Sequence, residues 1–137
     1  MKTKVLLAAL GGGIVNWLLG ALLYLLLLGS YFAENHGEGV MKDPVEMWAI
    51  ILGCLFYGLL IAVIFDRWAQ IKTAGTGAKA GAIIGLIASL AFNFWKLGDS
   101  YFFTSITPAL IDCVVHTIMA AGTGAAAGWI LGRGGAE

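Results

Sequence analysis

Charge is scarce in this chain. Charged residues make up 12% of it, about half the roughly 25% of a soluble domain. The net charge is zero and no basic tract occurs, which argues against nucleic acid as a partner. Cysteine is scarce too. Cys54 and Cys113 are too few for a disulfide framework, and no C-x-x-C occurs. No nucleophile elbow, phosphate loop, H-E-x-x-H or paired-Glu motif is present. Gly11-Gly12-Gly13 lacks the lysine of a phosphate loop and sits in an apolar run. The only two prolines, Pro44 and Pro108, each fall where a helix would start.

What fills the chain instead is apolar surface. Hydrophobic residues reach 60% and mean hydropathy is +0.89. A single domain of 137 residues has no soluble core that could hide so much, so the lipid bilayer must be its solvent. Four runs are long enough to span, about 20 residues each: 5–28, 47–65, 77–95 and 108–131. The first follows Lys2 and Lys4 like a signal peptide, but it outruns the ~7–15 residues of a signal core and reads as a retained helix. Each run should be an α-helix, since lipid offers the backbone no other partners. The expected fold is all-α, a four-helix transmembrane bundle forming one domain over 1–137.

Lysine and arginine set the direction. Lys2, Lys4, Arg67, Lys72, Lys79 and Arg133 fall on one side, and only Lys42 and Lys96 on the other. The positive-inside rule then places both termini in the cytoplasm. Trp48, Trp95, Trp68 and Trp129 fall near helix ends, as an aromatic belt requires. Between the runs, Asp43-Pro44-x-Glu46 reads as a helix start with Asp43 as N-cap, and Thr107-Pro108 repeats that logic. Ala74-Gly75-Thr76-Gly77 reads as a turn, His36 as part of a solvated acidic loop, and 132–137 as a frayed tail.

Residues at four-residue spacing share one slowly turning helix face. The third run carries Gly77, Gly81, Gly85, Ser89 and Asn93 in this way, and the fourth carries Asp112, His116, Ala120, Gly124 and Gly128. The first adds Gly12, Asn16 and Gly20, with Tyr24 one turn further out. Such G-x-x-x-G rows let backbones approach closely, within one chain or between copies in a homo-oligomer. Because the third and fourth helices are antiparallel, their glycines share one end and their polar residues the other. This predicts a bundle tight on the cytoplasmic side, with a polar pocket opening outward. Asn93, Asp112 and His116 would line it and Asn16 and Tyr57 would form its floor.

Asp112 and His116 stand one turn apart, where a carboxylate can orient an imidazole. Ionisable groups inside a span are expensive, by ~2.5–3.5 kcal/mol for Asp at the helix centre. They need a reason: a proton, cation or ligand role, or a hydrogen-bonded lock between helices. A metal would need three or four ligands. Cys54, Asp112 and His116 are the nearest to a set, yet Cys113 points about 100° away from Asp112, and both cysteines read as small buried hydrophobes. No cofactor is expected.

The segments Gly12-Gly-Ile-Val-x-Trp17-Leu-Leu-Gly20-x-Leu-Leu-Tyr24, Lys79-Ala-Gly-Ala-Ile-Ile-Gly85 and Asp112-x-Val-Val-x-Thr-Ile-Met119 resemble an uncharacterised family of small bacterial inner-membrane proteins. That resemblance implies a four-helix protein and carries no activity. Four-span multidrug transporters centre on a Glu in the first helix, and none stands here. Dual-topology fluoride channels have balanced charge, whereas this chain is biased six to two. Two functions remain in view. One is a structural or accessory membrane protein, built as a homo-oligomer through a glycine face. The other is a small transporter, channel or ligand-binding protein using Asp112, His116 and Asn93. An enzyme is the weakest of the alternatives, because its nucleophile or metal set is incomplete.

Overall fold

The apolar runs satisfy their backbones as helices. The computed structural model describes residues 2–133. Five helices follow in order: α1 (Thr3–Leu27), the short α2 (Gly29–Asn35), α3 (Met47–Ala69), α4 (Ala74–Asp99) and α5 (Ile106–Gly132). All but α2 are long and apolar enough to cross a membrane, so the fold is an all-α bundle of four candidate spans. Most of the expected frayed tail falls on 134–137, outside the described residues.

α5 is the axis of the bundle. It packs against α1, α3 and α4, whereas α4 packs chiefly on α5. Small residues make this central position workable: Ala120, Thr123, Gly124, Ala127 and Gly128 are all buried. On α4 the buried face is the four-spaced row Gly77, Gly81, Gly85, Ser89 and Asn93. The two helices meet almost backbone to backbone. A Cβ added at Gly81 would run into the Ala120 carbonyl oxygen and stand 3.1 Å from Gly124 Cα. Gly128 is pressed in the same way against the Thr73 carbonyl. In lipid, where apolar burial drives nothing, this close van der Waals packing is what holds helices together.

α1 and α3 repeat the arrangement. Gly58 faces the Ala9 carbonyl and Gly13, and a Cβ on Gly13 would lie 2.9 Å from Leu55 Cα. Gly12 lies against Thr123 and Gly20 against Met119. These glycines are therefore spent inside one chain. At the same end Val5, Ala8, Ile61, Phe65, Ala127 and Leu131 form an apolar core, and residues from both chain ends meet in it. Leucines such as Leu6, Leu10, Leu18 and Leu26 point outward, as do Trp48, Trp68, Trp95 and Trp129.

Several expected helix starts differ. α3 begins at Met47 with Glu46 as its N-cap, and no side chain caps it. Asp43 is left outside, and Glu46 instead pairs with Lys42 at 2.9 Å. Ala74–Gly77 is not a separate turn but the first turn of α4, capped by the Thr73 hydroxyl, which accepts from Thr76 N at 3.2 Å. A polar side chain at the right offset captures the helix's free N–H groups, and here Thr73 outcompetes the glycine turn.

The other end of the bundle is closed by loops. α1 widens to a π-helical turn over Ala21–Leu27, a feature that inserts an extra residue per turn. The chain then enters α2, whose last residue and the segment just after it pair with the α4–α5 connection. Gly37 N donates to Phe102 O and Thr104 N to Asn35 O, both at 3.0 Å.

Candidate polar site

Three helices deliver four polar side chains to one point near the loop-closed end. Asn93 comes from the last turns of α4, Asp112 and His116 from the start of α5, and Tyr24 from the π-helical turn of α1. Asp112 lies six residues past Ile106, about 9 Å along the helix, and His116 about 15 Å. Tyr24 donates its hydroxyl hydrogen to Asp112 Oδ1. Asn93 Nδ2 donates to Asp112 Oδ2 at 2.7 Å, and also lies 3.1 Å from Ala109 O and 3.3 Å from Cys113 Sγ. His116 Nδ1 is 3.2 Å from Asp112 Oδ2, 3.1 Å from Asp112 O and 2.9 Å from the Tyr24 oxygen.

Hydrogen counting assigns the roles. Tyr24 has one hydrogen and spends it on Asp112. Three acceptors then face His116 Nδ1, so Nδ1 carries a proton and donates. Both carboxyl oxygens of Asp112 accept, and the cluster leaves that side chain no unsatisfied atom. Among the described residues every fully buried side-chain nitrogen or oxygen is partnered. The second imidazole nitrogen, Nε2, makes no hydrogen bond among the described residues.

The cluster is enclosed. Asp112 is 5% exposed and Asn93 2%, so these groups do not line an open vestibule. A chain of aromatic rings lies over Tyr24: Phe32 at 5.2 Å between centroids, then His36 stacked on Phe32, then Phe102 and Phe103. Lys96 reaches over the same rings, 4.3 Å from the Phe102 centroid, a cation–π position. His116 is the exception. Its side chain is 46% exposed.

His36 is thus not a solvated loop residue but part of this aromatic lid. Burial there lowers its pKa from the ordinary 6.5, and Lys96 lowers it further, against an opposing pull from Asp112. The sign follows directly. Below about pH 6.5 the unfolded chain takes up a proton that the folded lid resists, so stability falls on acidification through that range. Unfolding followed from pH 7.5 to 5 should show this loss, and His36→Gln should flatten it. An unchanged slope in the variant would remove His36 from the account.

The other residues expected at the site are placed elsewhere. Asn16 donates to Thr123 Oγ1 at 3.0 Å, and Thr123 in turn to Met119 O at 2.9 Å. This is a separate tie between α1 and α5. Tyr57 makes no hydrogen bond among the described residues, and its hydroxyl lies 3.5 Å from the Cβ position of Gly85. Cys54 sits where α3 meets α1, its carbonyl against Gly13. No three His, Cys, Asp or Glu side chains among the described residues are grouped to hold a metal. Two participants were not expected. Tyr24 stands on the four-spaced row of Gly12, Asn16 and Gly20, and that spacing was its signal. Thr123, one residue before a packing glycine, had none.

Against known proteins, no family model matches the chain, nor does any curated protein or solved structure.

Proposed function

We propose that this is a structural or accessory protein of the bacterial inner membrane, with both termini in the cytoplasm, and that the Tyr24–Asp112–Asn93 cluster is its internal lock. The observation that carries this reading is the burial and engagement of Asp112. Both of its oxygens are engaged, by donors from two other helices and its own turn. A carboxyl group built to take up a substrate would stand open to one, whereas this one is 5% exposed and already holds a donor on each oxygen. The six-to-two bias of Lys and Arg supports the orientation. A homo-oligomer would need a surface other than the glycine rows, which are already occupied.

One observation favours a second reading. The His116 side chain is half-exposed, and its Nδ1 is tied to Asp112 and Tyr24 while Nε2 makes no hydrogen bond among the described residues. That is the wiring of a proton- or ligand-accepting imidazole. The double replacement Asp112→Asn, His116→Gln separates the two. The lock predicts a protein that unfolds more easily in detergent and shows no pH-dependent flux in vesicles before or after the change. A variant that stays fully stable while losing a proton or cation flux shown by the parent would transfer the assignment to the second reading.

A further inference from the structure

The end of the bundle opposite the polar cluster holds a cleft of about 290 Å³ between the start of α1 and the end of α3. Lys2, Val5, Val63, Asp66 and Arg67 line it. A water occupies roughly 30 Å³ of liquid, so the space exceeds what one tetrahedral anion needs. We propose that this cleft binds a phosphate group, supplied by the headgroup of an anionic phospholipid.

Two independent features point to that class of ligand. The first is charge. The side chains of Lys2 and Arg67 make no hydrogen bond or ion pair among the described residues, although Asp66 lines the same cleft. Two free cations therefore converge on one space, and the planar guanidinium fork can hold two oxygens of one phosphate. α1 also opens here with no side-chain capping bond and no acidic residue in its first turn, so its positive end adds to the field.

The second feature is the wall. Val5 and Val63 give the same cleft an apolar side, and Val5 begins the apolar part of the span. A soluble anion gains nothing from such a wall, whereas a lipid lays its glyceride shoulder against it. Trp68, next to Arg67, is exposed, as residues at headgroup depth are. The inference rests neither on the polar cluster nor on which side of the membrane this end faces.

The test uses the purified full-length chain in neutral detergent. Its thermal unfolding midpoint is read against added phosphatidylglycerol, phosphatidylcholine or inorganic phosphate. Phosphatidylglycerol should raise the midpoint, and phosphatidylcholine should do so far less. Lys2→Gln with Arg67→Gln should raise the lipid concentration for half the effect by at least about fivefold, as loss of a surface cation near anionic lipid implies. Asp66→Asn should lower that concentration, because it removes a competing anion. Lys42→Gln, at the far end, should leave it unchanged. An equal shift with inorganic phosphate supports a phosphate site and makes a soluble anion its source. No shift with either, or the same shift after Lys2 and Arg67 are replaced, overturns the proposal.

Discussion

Gly81→Leu should cost at least about 3 kcal/mol, the upper range for forcing extra atoms into a packed core. The first added carbon already collides with the Ala120 carbonyl oxygen, and Gly124 Cα lies 3.1 Å away. Backbone cannot rotate aside as a side chain can, so α4 must lift off α5. Separation forfeits the van der Waals contact along the whole pair, and lipid supplies no compensating hydrophobic drive. Gly53→Leu is the control, since nothing lies within 4 Å of a Cβ there. Reversible unfolding in mixed micelles, followed by circular dichroism, should separate the two variants widely. Equal effects would mean that the α4–α5 contact is not what holds the bundle.

Asp112→Ala should be the costliest change at the polar end, at about 2–3 kcal/mol. A single side-chain hydrogen bond within a membrane is worth about 0.6 kcal/mol on average and about 1.7 at most. Here three donors, on Tyr24, Asn93 and His116, lose one shared acceptor. Asp112→Asn should cost about half as much, because it keeps one acceptor oxygen but sets an amide donor against a neighbouring donor. Tyr24→Phe removes one donor only and should cost least. The order Ala, Asn, Phe in the same unfolding assay checks the network. A Tyr24→Phe variant as unstable as Asp112→Ala would show that the ring's packing against Phe32, and not its hydroxyl, is what matters.

The same contrast runs through the comparison of sequence with structure. Spans were legible because length and polarity are properties of a continuous stretch. The buried face of α4 was legible because Gly77, Gly81, Gly85, Ser89 and Asn93 repeat at four, and one helix face collects every fourth residue. That Asn93 would lie near Asp112 followed from the antiparallel course of α4 and α5. By contrast, Asn16 shares spacing with Tyr24, yet only Tyr24 reaches the carboxyl group. Spacing assigns a face but not a depth or a partner, and the partner of Asn16 turned out to be Thr123.

The lid was illegible for a different reason. Phe32, His36 and Phe103 come from two connections far apart in the chain, and their polar neighbours suggested solvent. They meet because the end of α2 and the residues after it bond through the backbone to the loop before α5.

By itself, then, the order of residues determined that four helices would be long and apolar enough to cross lipid and which strip of α4 would be inward, because both follow from one-dimensional period and solvent preference. Only the tertiary structure decided that the acid and amide would be sealed rather than open, and that the imidazole would stay half-exposed. Those outcomes depend on where separate segments touch, and contact between distant segments leaves no period in the sequence.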